Sequence, residues 1–503
     1  MLCTLLSRLL GIVKARVLSS VFGAGATADV INFTFNIPNN FRKLFAEGAV
    51  NSAIIPAFSN LLGHEEKDRS LRLFSLLVTY QTILLIPLVV VSYLYGRQII
   101  GFLSDFDASQ IALGARLLPF FIVYLATISL SATFNGVLQA HQNFLHAYLS
   151  PLLFSLCVII GVLTLSDSLG AMSMAYAALA GGLLQGTYSY VMLRRYGYRI
   201  KPAFNTTGTD FKPVVKAWSL VTLGMGMQIL VQMISFLFAS TLQEGSVTAF
   251  TNSTIFFQTP YGIFFNAISA VSLPLMSRSF ALGKKEELKE HTRSSLLHLA
   301  TLLLPSTIIL YFFSRECVHV VLQTGNYTAF DSELTALVLR PFLVFMLISA
   351  WYAMLLRLGY STNRYRLMTI VTTIQNLLDI ALMWVFLKAG LDIRSLPLAN
   401  GISYLIGMII LLIVLRDVYS LHTDGLFAKG LLRIGLANLP VFLLLLVYHH
   451  LDLLWYASGS NWRNLLILSL LGLSAYLVVY LSYRIADIPL LQLLRPEKKS
   501  GDL

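Results

Sequence analysis

Five basic residues stand in the first 43 positions, within sequence that otherwise reads as membrane-spanning helix: Arg8, Lys14, Arg16, Arg42 and Lys43. Each costs roughly 2.5–3.5 kcal/mol at a bilayer centre on insertion scales. A chain keeps such charges only where they face water, protein or a ligand. At membrane depth in a polytopic protein they point to a cavity for something anionic. The competing reading is snorkelling of the long side chains to the interface. On a straight helix at roughly 100° per residue, Arg8 and Lys14 lie about 120° apart and Arg16 about 80° from Arg8. One stripe cannot hold all three, so either the helix bends at Gly11 or Arg16 is interfacial.

Two acids accompany these bases. Asp29 stands just inside the second helix, where it is either a cavity group or a charge favoured by the helix dipole. Glu47 follows Lys43 by four residues, at salt-bridge spacing. Between them Pro38 lacks an N–H and should bend the helix, and Asn39 and Asn40 are placed to satisfy the freed backbone groups. A second polar group at membrane depth is Gln375, Asn376 and Asp379. Oxygen ligands of this kind suit a hard cation such as Na⁺, and an interhelical hydrogen-bond cluster is the alternative. Cys3, Cys157 and Cys317 have no spacing pattern, which excludes a disulfide framework and a cysteine metal site. His449-His450 lacks a third ligand. No catalytic residues are expected: paired carboxylates, a nucleophile–base pair and a phosphate loop are all lacking. The chain reads as a transporter, not an enzyme.

The elements that must hold these residues are membrane helices. The 503-residue chain is 56% hydrophobic and 12% charged, against roughly 25% charged in soluble domains. About fourteen apolar stretches near the ~20 residues needed for a crossing recur from end to end. Lipid-exposed backbone must satisfy its own hydrogen bonds, so an all-α polytopic fold is expected. With the N-terminus in the cytoplasm, alternation puts 23 Lys and Arg residues in cytoplasmic loops and tail and five on the other side. This asymmetry fixes the orientation, with both termini cytoplasmic. The net charge of +12 is therefore topological and argues against a nucleic-acid partner.

The chain also repeats. Pro119 maps onto Pro341 in similar surroundings, Gln142-Asn143-Phe144 onto Asn363-Arg364-Tyr365, and Pro56 onto Pro274, at offsets of 222, 221 and 218. This predicts two six-helix halves, 1–200 and 201–425, and two additional helices with a tail over 426–503. An even helix number per half gives parallel repeats. Transporters of this design bind substrate between halves and alternate access by rocking.

Phe22-Gly23-Ala24-Gly25, Pro38-Asn39, the Arg42–Ala49 stretch, Ser272–Phe280 and the Thr328–Asp331 loop together closely resemble the MurJ (MviN) family of lipid II flippases, in the multidrug/oligosaccharidyl-lipid/polysaccharide exporter superfamily. The resemblance spans nearly the whole chain. It implies transport of a lipid-linked peptidoglycan precursor, lipid II or a related undecaprenyl-pyrophosphate-linked glycan, across the bacterial cytoplasmic membrane. It implies contact with membrane lipids and with cell-wall synthesis machinery. Residue by residue, Arg8, Lys14 and Arg42 match basic cavity positions, Asp29 a cavity-mouth acid and Glu47 the acid of an Ala-Glu-Gly motif. Ser235, Gln375, Asp379 and Asn400 match a partial Na⁺ site, with membrane potential the other source of energy; no cofactor is implied. Two departures stand out. Ile255 occupies the position of the family's eighth-helix basic residue, and Ser361–Arg366 replaces a motif after the tenth helix. The alternatives are another exporter of the superfamily, for a lipid-linked oligosaccharide or a drug, and a degenerate membrane scaffold of wall synthesis.

Overall fold

A computed structural model describes residues 2–44, 53–419, 424–451 and 461–488. Among these residues the secondary structure is helical throughout, with eighteen α-helices. They are α1 (Leu2–Phe22), α2 (Ala26–Arg42), α3 (Ile55–Gly63), α4 (Lys67–Leu94), α5 (Gly96–Leu103), α6 (Ala108–Ala140), α7 (Phe144–Leu169), α8 (Met172–Arg194) and α9 (Phe211–Ser240), followed by α10 (Ser246–Ala281), α11 (Lys285–Phe312), α12 (Ser314–Leu322), α13 (Ala329–Val344), α14 (Met346–Ser361), α15 (Tyr365–Lys388), α16 (Ser395–Val414), α17 (Gly425–His450) and α18 (Asn461–Ile485).

The expected all-α membrane architecture is present, and the described residues alone do not confirm the count of about fourteen spans. Nine described helices are long and apolar enough to cross a bilayer, and ten if α13 and α14, bent by 47°, form one span. In three of the other helices polarity contributes to the difference. α1 carries Arg8, Lys14 and Arg16, α2 carries four asparagines, and α8 dilutes its apolar face with Gly181, Gly182 and Gln185. The count of fourteen is not reached on apolarity. α1 also runs unbroken through Gly11.

The repeat is written in the backbone as well as the sequence. α4 and α11 both have 28 residues, and they start 218 positions apart (67 to 285). The short helices α5 and α12 start at the same offset (96 to 314). Glu65 has φ 60° and Gly283 φ 68°. Each closes its turn identically: Glu65 N–H donates to Leu62 and Glu66 N–H to Leu61, as Gly283 does to Phe280 and Lys284 to Ser279. The later turn repeats too. Gln142 and Asn363 both have φ 60°, and each donates three residues back while the next residue donates five back. Such paired closures satisfy the last carbonyls of a helix.

By its contacts the chain divides into two compact units, Met1–Thr251 with Leu322–Asp331, and Asn252–Val321 with Ser332–Leu503. Unit 1 buries Phe58, Leu73, Phe74, Leu76, Phe134, Val137 and Tyr198 in one cluster. Unit 2 buries Ala300, Phe313, Val441, Ala475, Val479 and Tyr483 in another. Two helix starts, those of α6 and α17, are capped by the side chain of the residue before them. Asp107 accepts from Ser109 N at 2.7 Å and Gln110 N at 2.8 Å, while Gln110 Oε1 accepts from Asp107 N at 3.0 Å. This reciprocal cap starts α6. The N–H groups hold the Asp107 carboxyl below the usual carboxylate range, that of Gln110 most strongly. Asp424 starts α17 in a similar way, accepting from Leu426 N at 3.1 Å and Phe427 N at 3.0 Å.

Candidate functional site

In unit 1 the first two helices bring two predicted cations together. The Lys14 ammonium lies over the ring of Phe35 at 5.9 Å and that of Phe154 at 5.5 Å. Tyr124 stacks between those rings, 5.4 Å from Phe35 and 4.7 Å from Phe154. Lysine thus sits on an aromatic floor built by α2, α6 and α7, held by the ring quadrupoles rather than by a carboxylate. Arg42, at the end of α2, is near enough for its charge to act unfavourably on Lys14. Two cations within electrostatic reach of each other favour a nearby anion.

Asn39 and Asn40 serve these cations and not the backbone freed by Pro38. Arg42 Nε donates to Asn39 Oδ1 at 3.1 Å. Lys43 Nζ donates to Asn40 Oδ1 at 3.2 Å and to Gln232 Oε1 of α9 at 2.6 Å. Asn40 Nδ2 is buried with no partner among the described residues, so the same side chain retains a donor. Asn36 Nδ2 turns back onto the Asn32 carbonyl at 2.8 Å. Arg8 is half-buried on α1, as is Arg16. Glu47 lies outside the described residues, and Lys43 takes Gln232 as a partner.

Asp29 is 4% exposed and acts at the amino end of another helix. Its Oδ1 accepts from Thr248 N at 2.8 Å and Thr248 Oγ1 at 2.7 Å, and its Oδ2 from Gly245 N at 2.8 Å. The first turn of α2 therefore caps α10. The cap is reciprocal: Glu244, just before α10, accepts from Ala26 N in the first turn of α2. Carboxylates at helix amino ends gain from both the free N–H groups and the dipole. The neighbouring turn is pinned as well. Asn326 donates from its backbone to Ser20 O at 2.8 Å and from its side chain to Val21 O at 2.6 Å. Gly23 has φ 66°, and a Cβ there would stand 2.7 Å from Asn326 O. Only glycine fits this turn.

Unit 2 holds the second polar group. Asn400 Nδ2 donates to Asp379 Oδ2 at 2.7 Å, and Gln375 Nε2 to Ser403 Oγ at 2.9 Å. Asp379 is 1% exposed, and its Oδ1 has no partner among the described residues. The orphaned oxygen fits a cation or a proton. α15 and α16 thus bring Gln375, Asp379 and Asn400 together. Ser235 falls in unit 1, where its hydroxyl donates to Val231 O at 2.9 Å. Ser403 is a further partner that its sequence position does not reveal.

Ile255 is half-buried on α10. A basic residue that sequence reasoning did not single out lies further along the same helix's neighbourhood. Arg357 of α14 stacks on Phe265 at 4.8 Å and donates to Ser269. It ends a ladder in which Phe257, Tyr261 and Phe265 stack at 5.4 and 5.2 Å. Their spacing of four residues places all three on one face, which is the signal in the sequence. No group of three metal-ligating side chains occurs among the described residues.

The chain is similar to known proteins along most of its length. A family model described as "Lipid II flippase MurJ" matches residues 18–475. A protein of Borreliella burgdorferi named "Probable lipid II flippase MurJ" is 27% identical over 493 residues, covering 97% of this chain and 96% of its own. One of Buchnera aphidicola with the same name is 24% identical over 470 residues, covering 90% of each. Among solved structures, "Lipid II flippase MurJ, inward closed conformation" aligns with a TM-score of 0.79 at 22% identity, over 98% of this chain and 99% of that one. An inward-facing multidrug transporter of the MATE family aligns with a TM-score of 0.68 at 14% identity, over 85% and 94%. At these identities the two structures speak for the fold.

Proposed function

We propose that this chain, which belongs to the lipid II flippase MurJ family, carries lipid II from the cytoplasmic to the outer leaflet of the bacterial cytoplasmic membrane by alternating access. It is a transporter and not an enzyme. The observation that carries the reading is Lys14 on its aromatic floor, within electrostatic reach of Arg42 in unit 1. A diphosphate is the anion that suits them. Its oxygens take charge-assisted hydrogen bonds from an ammonium and a guanidinium. The prenyl tail stays in the hydrocarbon, where its transfer costs nothing. Arg8 supplies further positive potential along α1. Asp29 acts by holding α2 to α10, so it positions the cations instead of meeting the substrate. A drug exporter for cationic compounds would place acids here, and the first two helices present bases.

Energy comes from the membrane potential, worth about 2.3 kcal/mol per charge per 100 mV, or from a cation held at Asp379 with Gln375 and Asn400. Such a cation would supply a charge that moves with the field. The domain limits at 200 and 425 and the cytoplasmic termini rest on the repeat and on loop charge. Contact with the wall-synthesis machinery follows from the substrate.

Reconstitution tests the proposal. Vesicles holding the purified chain and fluorescent lipid II should move the label to the far leaflet. Vesicles with Arg42→Ala should not. Equal movement in protein-free vesicles would overturn the proposal.

A further inference from the structure

We propose that unit 1 binds an anionic glycerophospholipid of the cytoplasmic leaflet in an apolar cleft between α4, α6 and α9, with its phosphate at Lys212, Lys216 and Arg72. This site is separate from Lys14 and Arg42 and does not rest on the transport reading. The cleft has a volume of about 590 Å³, within the roughly 300–1,000 Å³ of pockets that hold small molecules. Leu77, Leu84 and Leu88 line it from α4, and Val214 and Trp218 from α9. Its polar side chains are engaged with the protein. Thr133 Oγ1 donates to Gln81 Oε1 at 2.9 Å, and Tyr80 OH to Phe204 O at 3.2 Å. A dry apolar cleft of this kind takes a hydrocarbon and not water.

Its length fits one leaflet. Leu77 to Leu88 is eleven helical residues, about 17 Å, against about 15 Å for half a hydrocarbon core. Its lining also begins where α9 leaves the loop that the charge bias assigns to the cytoplasm. There the charge is complementary to a phosphate. Lys212 and Lys216 are exposed on α9, each following in sequence a residue that lines the cleft, Phe211 and Val215. Neither has an ion-pair partner among the described residues. Arg72 is exposed and donates to the Asn205 carbonyl at 3.3 Å. The adjacent Arg69, by contrast, is already neutralised by Glu66 at 2.6 Å and Asp210 at 3.1 Å. Apolar depth with three uncompensated cations at the mouth selects an acyl chain carrying an anionic head group.

The test uses the full chain in phosphatidylcholine vesicles containing phosphatidylglycerol with a diazirine on one acyl chain. Crosslinks should map to residues 77–88 and 211–218. Excess phosphatidylglycerol should remove them and excess phosphatidylcholine should not. Leu84→Trp, which fills the cleft, should lower these crosslinks about tenfold, equivalent to 1.4 kcal/mol, without changing labelling of α17 and α18. The exposed pair Lys212→Glu with Lys216→Glu leaves the cleft intact and should abolish the preference for phosphatidylglycerol; it carries the test should the tryptophan variant aggregate. Equal labelling by a phosphatidylcholine probe would overturn the proposal. So would displacement by a polyprenyl diphosphate in place of phosphatidylglycerol, which would make the cleft a substrate-tail site.

Discussion

Asp29 and Thr248 lie 219 residues apart and are joined twice, from the threonine backbone at 2.8 Å and from its hydroxyl at 2.7 Å. The acid in the first turn of α2 thereby closes the first turn of α10. Glu244 returns the favour to Ala26. Hydrogen bonds to a charged group contribute roughly 1.5–3 kcal/mol each. Asp29→Ala should therefore speed hydrogen exchange at the Gly245 and Thr248 amides by at least about tenfold, a change of 1.4 kcal/mol. Asp29→Asn should fall between. Unchanged exchange in the alanine variant would show that the cap does not hold the helix.

The aromatic floor under Lys14 makes a prediction about charge type. Lys14→Arg should support growth, because a guanidinium also stacks on rings. Lys14→Glu should not. Phe154→Leu should weaken the ammonium's hold by about 0.5–2 kcal/mol and lower transport while leaving membrane abundance near normal. Arg8→Ala should also lose growth support at normal abundance, since insertion scales penalise the charge and not its removal. Full complementation by the Arg8 and Lys14→Glu variants would remove these residues from the site.

The charges of this site are legible in the sequence because a lysine or arginine is conspicuous in an apolar run. Their surroundings are not. Phe35, Tyr124 and Phe154 are three aromatics in a chain with 12% aromatic residues, and nothing local marks them as one stack. Asp29 is visible as an acid at a helix start, but its role depends on Gly245 and Thr248, which only the fold brings near. Asn39 and Asn40 read as partners for a proline-freed backbone, whereas in the structure their Oδ1 atoms accept from Arg42 and Lys43. The short helices α5 and α12 are too brief to register as spans. The repeat, by contrast, was readable from three offsets because its turns keep their geometry.

Ile255 tests the reading of the second half. It stands where the resembled family has a basic residue. Ile255→Arg should leave the steady-state amount of protein near normal if the side chain meets water, and should raise the affinity for a diphosphate head group. An arginine against lipid or packed helices costs several kcal/mol, and the protein would then be lost. That loss would refute the placement of this position in an aqueous cavity.

The orphaned oxygen of Asp379 predicts a cation or proton dependence. An imposed Na⁺ or H⁺ gradient should accelerate lipid II movement by the wild-type chain in vesicles. Asp379→Asn, which keeps the shape and removes the charge, should abolish that acceleration. If neither gradient affects the wild type, membrane potential alone supplies the energy.

His141 gives a pH dependence outside the membrane segments. Its Nε2 lies 3.2 Å from Tyr198 OH, which in turn meets Ser70 Oγ at 2.9 Å. Burial, aided by the Lys67 charge, pushes the imidazole's pKa down. The unfolded chain therefore binds the proton more readily, and stability falls as pH drops below the ordinary value of about 6.5. The melting temperature should decrease between about pH 7.5 and about pH 5.5, and His141→Asn should flatten that change. An equal slope in both proteins would contradict this assignment.

The most direct measurement of the central claim is the amount of lipid II exposed at the outer surface of the cytoplasmic membrane when this protein is depleted from its bacterium. The account predicts that exposure falls, that wild type and Lys14→Arg restore it, and that Arg42→Ala and Lys14→Glu do not, at equal protein abundance. Unchanged exposure on depletion, or full restoration by the Arg42→Ala and Lys14→Glu proteins, would contradict it.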